Sequence, residues 1–212
     1  MLRSIAVLLL LTVAVPAVAA PPGDPGVESQ GSSDSQAPAK GAGPENLTLK
    51  DIGALTLDDL FAKLPAHSGS RMGRAIEAEI QQRFHKSGSD TADLLLSWGT
   101  RAFEEKNYRL ALDILDQAIM VKPDFAEAWN KRATVNYMLD DYSGSLSDIR
   151  QALLLEPRHF GALSGLGIIL DASNNKADAL KVLRRALEIN PQMDQVKKTV
   201  ERLEKETSGQ SI

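Results

Sequence analysis

Apolar and polar positions alternate with a helical period over most of the second half of the chain. Leu146, Ile149, Leu153 and Leu154 form an apolar stripe separated by polar residues, the spacing of one helix face. The pattern predicts a helix over Tyr142–Leu155, preceded by another over Ala126–Leu139, with Asp140 and Asp141 as the turn. Pro157 lacks an amide hydrogen and stops the second helix. The next stretch reads the same way: Phe160–Ser173, a turn at Asn174 and Asn175, Lys176–Ile189, and Pro191.

The two readings are one pattern with a period of 34. Pro123, Pro157 and Pro191 keep that spacing. So do Ala118, Ala152 and Ala186; Leu115, Ile149 and Leu183; Ala111, Ser145 and Ala179; Gly99, Ala133 and Gly167; and Leu95, Trp129 and Leu163. Tyr108 and Tyr142 share it. A period of this length marks stacked supersecondary units. Glycine inside a helix costs up to ~1 kcal/mol against alanine. At Gly99 and Gly167 the pattern therefore predicts a close helix crossing that a side chain would obstruct.

On these residues the chain resembles the tetratricopeptide repeat family. That family places a large apolar residue, then Leu-Gly, then an aromatic on its first helix; its second helix carries two alanines around a large residue, and proline follows. Leu163, Leu166, Gly167, Leu170, Ala179, Leu183, Ala186 and Pro191 fit best. Trp129, Ala133, Tyr142, Ile149, Ala152 and Pro157 fit in the middle unit, as do Leu95, Trp98, Gly99, Tyr108, Ala111, Leu115, Ala118 and Pro123 in the first. Arg132 and Asn136 stand where Leu and an aromatic are usual, which predicts a more polar or looser seam there.

The resemblance implies an all-α, right-handed superhelical stack of helix-turn-helix units, 92–125, 126–159 and 160–193, with helical caps. It also implies a concave face lined by the first helices, where peptides bind. Carried over by position, that lining is Leu96, Thr100 and Phe103 from unit one, Asn130, Thr134, Tyr137 and Met138 from unit two, and Ser164, Ile168 and Asp171 from unit three. Glu127 falls in the same lining. Phe103 and Tyr137 are 34 apart and are expected to offer two aromatic surfaces to one peptide, unless they merely complete packing. Where a family subclass begins its carboxylate clamp, this chain has Leu96 and Thr100, so that activity is not carried over.

The flanks read as caps. Met193, Val196, Val200 and Leu203 predict a capping helix within 192–206, leaving 207–212 as a disordered tail. Residues 47–91 read as a helical cap or a degenerate repeat. Thr56 is a helix cap for Leu57–Leu64, and Met72, Ile76, Ile80 and Phe84 recur every fourth residue. Residues 1–19 read as a signal peptide: Arg3, an uncharged run from Ile5 to Val15, Pro16, then small residues. Cleavage is expected after Ala19, or after Ala20; an uncleaved anchor is the alternative. Residues 20–46, rich in Pro, Gly and Ser with Val27 as the only large aliphatic residue, read as a disordered linker.

Composition narrows the chemistry. The chain has 212 residues and no cysteine, and 24 Lys+Arg against 28 Asp+Glu give a net charge of −4. These exclude thiol chemistry and a lipid-anchor cysteine and disfavour nucleic acid as partner. His67, His85 and His159 never share a helix face, so each is expected as a surface imidazole, without a metal. No phosphate-binding loop or nucleophile elbow occurs. The expectation is a non-enzymatic, cofactor-free scaffold or adaptor in a cell envelope, periplasmic in a bacterium. It would hold a segment of an envelope protein in its concave groove, with no membrane contact after cleavage. A self-associating structural protein and an accessory subunit of an envelope enzyme are the alternatives.

Overall fold

The computed structural model describes residues 47–209; the signal peptide and linker expected over 1–46 lie outside them. Every regular element among the described residues is helical. After a 3-10 turn at Ile52–Ala54 come α1 (Leu57–Lys63) and α2 (Arg71–Phe84). Six helices then pair: α3 (Asp90–Glu104) with α4 (Tyr108–Val121), α5 (Ala126–Met138) with α6 (Tyr142–Leu155), and α7 (Phe160–Ala172) with α8 (Lys176–Ile189). The last helix, α9 (Asp194–Ser208), packs on α8.

The turn within each pair is built once and used three times. Lys106, Asp140 and Asn174, 34 residues apart, all take the left-handed conformation, with φ of 61°, 59° and 60°. The residue after each one caps the second helix: Asn107, Asp141 and Asn175 accept from the amides of Leu110, Gly144 and Asp178. Asp and Asn tolerate the left-handed turn, whereas Lys106 pays its steric penalty in full.

The crossings explain the glycines. A Cβ on Gly167 would lie 2.3 Å from Leu183 Cδ2, and one on Gly99 would lie 2.8 Å from Leu115 Cγ. Each glycine receives the leucine registered opposite it, and both leucines are fully buried. At the other end of the stack, Val196, Val200 and Leu203 of α9 close over Ala179, Leu180 and Leu183. This helix does not stop at residue 206. The Thr207 and Ser208 hydroxyls donate to carbonyls one turn back and Lys176 pairs with Glu206 at 3.1 Å, so the first residues of the expected tail are helical.

Of the two readings of 47–91, a helical cap or a degenerate repeat, the α1/α2 hairpin does not take the position of a repeat. It does not stack against α3 as a preceding unit would; it crosses the edge formed by the loops before α7 and α9. Ile76, Ile80 and Phe84 of α2 join Leu60, Phe61 and Leu64 of α1 in a core that includes Phe160, with Ile189 and Met193 against it. Phe84 stacks on His159 with ring centroids 4.5 Å apart. Glu77 accepts from Asn190 Nδ2 at 2.7 Å and from Gln192 Nε2 at 3.2 Å. Arg158 lies over the Phe61 ring, 4.3 Å from its centroid, and reaches Asp58 at 2.7 Å. The four-residue stripe of α2 therefore serves packing, against residues more than 70 positions away in sequence.

Candidate functional site

A cavity of about 320 Å³ opens between α5 and α7. Asn130, Thr134, Tyr137 and Met138 line it from α5, and Ser164 and Ile168 from α7. All six belong to the lining read from the sequence. Its floor is Ala133, Ile149, Gly165 and Ile169, with Ser145 beside them. No charged side chain lines it. Thr134 spends its hydroxyl hydrogen on the Asn130 carbonyl at 3.0 Å, and Ser145 donates to the Ala133 carbonyl at 2.8 Å. The cavity therefore presents methyl groups, one aromatic ring and one thioether, with the Asn130 carboxamide and the Tyr137 and Ser164 hydroxyls as its uncharged polar groups. Ile168 and Met138 are 43% and 47% exposed at its mouth.

The other four residues lie elsewhere. Leu96 is buried, 1% exposed, and together with Thr100 it borders a separate hollow whose rim carries His85, Lys86, Asp93, Arg101 and Glu104. Phe103 packs against the core of unit one and meets Tyr108 at 5.7 Å between centroids, so it completes packing. Only Tyr137 of the expected aromatic pair lines the cavity, braced edge-on by Tyr142 at 5.6 Å. Asp171 is held by Arg202 of α9.

The seam between α5 and α6 is ionic. Asp148 on α6, 2% exposed, accepts from Arg132 Nε at 2.9 Å and Nη2 at 2.6 Å. Asn136 Nδ2 donates to it at 3.0 Å. Arg132 also pairs with Asp116 of α4 at 2.7 Å and lies over the Trp129 ring. Its pKa is raised by the Asp148 hydrogen bonds against the opposing effect of burial. Such a bidentate pair is geometrically demanding. It gives physical form to the polar seam that Arg132 and Asn136 announced.

A second buried network was not foreseen. Glu127, assigned to the concave lining, is 2% exposed, and His159, expected at the surface, is also 2% exposed. The Ala162 amide donates to His159 Nδ1 at 3.2 Å, which leaves the ring proton on Nε2 to donate to Glu127 Oε2 at 2.8 Å. Asn130 Nδ2 donates to the same oxygen, and Lys131 Nζ stands 3.3 Å from Oε1. Burial pushes the Glu127 carboxyl up, but the His159 hydrogen bond and the attraction of His159, Lys131 and His85 outweigh it and hold it below the ordinary range. The signal available in the sequence was position: His159 directly precedes a helix, where its Nδ1 can cap the first turn. Among the described residues no group of three or more His, Asp or Glu is arranged to hold a metal.

The architecture defines a stack of helical hairpins with an interior groove. The tetratricopeptide repeat family model matches residues 139–194. A TPR repeat-containing protein of Rhizobium etli is 47% identical over 135 residues, covering 64% of this chain and 66% of that protein. Small glutamine-rich tetratricopeptide repeat-containing protein 2 of Saccharomyces cerevisiae is 25% identical over 128 residues, 60% of this chain and 37% of its own. The chain thus spans less than two thirds of the length of these relatives. The first repeat domain of Spaghetti (RPAP3) bound to the HSP90 peptide SRMEEVD superposes with a TM-score of 0.54 at 22% identity, over 57% of this chain and 95% of that one. The Sgt2 domain of Aspergillus fumigatus gives 0.53 at 22%, over 57% and 81%. The chain belongs to the tetratricopeptide repeat family.

Proposed function

We propose that this chain is a non-catalytic adaptor that binds an extended protein segment in the groove between α5 and α7, inserting an apolar side chain into the cavity. The observation that carries the reading is the uncharged cavity of about 320 Å³ lined by two consecutive first helices. A methyl- and thioether-lined wall with a braced tyrosine suits an aliphatic or aromatic side chain. Among solved neighbours of the same fold, the RPAP3 domain holds an acidic peptide. The present cavity offers no cation to such a peptide, so the occupant of this groove is a neutral, apolar segment. The work is done outside the cytoplasm, in a cell envelope; the reading of residues 1–19 as a cleaved signal supports that placement.

A photocrosslinking amino acid at Ile168, compared with one at Met120 on α4, tests the groove in envelope extracts. Crosslinks from position 168 alone, lost on Tyr137→Ala, are expected. Equal crosslinking at position 120 removes the groove from the account. The intact mass of the exported protein tests the address: a chain starting at Ala20 or Pro21 is expected, and a full-length mass in the membrane fraction makes it an anchored protein.

A further inference from the structure

The two ends of the stack differ. At the carboxy-terminal end α9 covers the last pair and turns Lys198, Glu201 and Lys205 outward, all exposed. At the opposite end no helix among the described residues covers α3 in this way, because α2 crosses the loop edge instead. The period of 34 shows what is missing. In the later units, Ala128 and Val135, and Ala162 and Ile169, face the preceding helix pair and are 3% exposed or less. Arg132, in the same face, reaches back to Asp116 on α4. The registered residues on α3 are Leu94, Trp98 and Arg101. Leu94 and Trp98 are 48% and 49% exposed, and Arg101 is exposed. An outermost repeat normally needs a polar face, and an exposed apolar pair of this size marks an interface.

We propose that this face pairs with the same face of a second copy, the two α3 helices lying antiparallel about a two-fold axis. The stripe is self-complementary. Asp90, Leu94, Trp98 and Arg101 recur at intervals of four, four and three residues, so they share one helix face. Asp90 lies at the first turn and Arg101 in the last, ~16 Å apart along the axis. Neither makes an ion pair within the described residues. An antiparallel partner sets Leu94 against Trp98 twice and Asp90 against Arg101 twice, and it opposes the two helix dipoles. A parallel partner would set like charges together. A two-fold contact must be complementary to itself in this way.

Sedimentation velocity of the full chain across a concentration series tests the pairing, with circular dichroism as the control for folding. A monomer–dimer equilibrium is expected, and Trp98→Glu should weaken it by roughly 100-fold or more, since the loss of a central aromatic counts twice. Asp90→Arg and Arg101→Asp should each weaken it by roughly 10-fold, because two attractions become two repulsions. The double variant Asp90→Arg with Arg101→Asp should recover the wild-type constant. Three results overturn the proposal: a monomer at every concentration, a dimer indifferent to Trp98→Glu, or a double variant no better than the single ones. If Trp98→Glu unfolds, the charge-swap series decides alone. None of these results bears on the groove between α5 and α7.

Discussion

The middle repeat and the last one solve the same packing problem with different chemistry. In unit three the corresponding columns are apolar, Leu166, Leu170 and Val182, and Gly167 receives Leu183. In unit two the registered residues are Arg132, Asn136 and Asp148, joined by three hydrogen bonds, and Ala133 faces Ile149. Unit one carries Trp98, Ala102 and Ile114 in the same columns, apolar as in unit three, but there Trp98 turns to the outer face and is 49% exposed. Three apolar positions have thus become one polar triad in a single repeat. A buried ionic triad rarely stabilises more than well-packed hydrocarbon. What unit two gains is a fixed geometry at residues adjacent in sequence to Ala133 and Ile149, which line the cavity; in unit three the registered Gly167 is closely met by Leu183.

The largest effect should come from blocking the tight crossing. Gly167→Leu drives a side chain into Leu183, whose atoms already lie 2.3 Å from an added Cβ. A loss of ~3 kcal/mol or more is expected, at the upper end for overpacking. Gly165, two residues away on α7, borders the cavity, and its Cβ would meet Ile149 Cδ1 at 3.4 Å. Gly165→Ala should therefore be neutral or gain up to ~1 kcal/mol from helix propensity. Urea midpoints of the two variants decide; equal losses would mean that the two sides of α7 are packed alike.

Next in size is the seam. Asp148→Ala leaves Arg132 half its partners and a half-buried Asn136 amide without its acceptor, and should cost ~2–3 kcal/mol. The triple change Arg132→Leu, Asn136→Leu and Asp148→Val transplants the seam of unit three. It should be within ~1 kcal/mol of wild type, or more stable. If the transplant is as damaging as the single change, the triad contributes stability that hydrocarbon cannot replace.

How much of this is legible without coordinates depends on the range of the contact. The helical stack is legible because the residues that make it repeat every 34 positions, and the glycine crossings follow from the same columns. Arg132 and Asn136 stand out as departures, yet Asp148 becomes visible only when its column is read beside Ile114 and Val182. The groove was half legible. First-helix positions identify Thr134, Tyr137 and Ile168, but the floor comes from Ser145 and Ile149 on a second helix, which a rule about first helices omits. The rule also places Leu96, Phe103 and Asp171 in the lining. Their neighbours Leu115, Tyr108 and Arg202 take them out of it. The docking of α2 on residues 157–193 left no local trace, because neither partner's pattern specifies the other.

A third comparison separates two aromatics registered in successive repeats. Phe103→Ala should cost ~2 kcal/mol in urea, since a half-buried ring packed on the core of unit one is removed. Partner capture by the folded variant should persist. Tyr137→Ala should cost less, ~1 kcal/mol, yet abolish capture, because the ring walls the groove. Reversed outcomes would move the binding surface to unit one, to the hollow beside Thr100.

The smallest effect concerns a second charge buried in unit two, where unit three has glycine: Glu127, registered with Gly161. Its folded pKa is depressed, so the folded state favours the carboxylate more than the unfolded chain does. The stability this provides is complete above the unfolded value, ~4.3, and is lost as pH falls through the folded value. Glu127→Gln removes the titration. At neutral pH the variant should be less stable, since His159 Nε2 and Lys131 lose an ionised acceptor. The gap should then close below ~pH 4, by at most ~1.4 kcal/mol per pH unit, the limit for one proton. Urea midpoints at descending pH measure it, and the direction is diagnostic. A gap that widened in acid would require a raised Glu127 pKa, with desolvation stronger than the pull of His159.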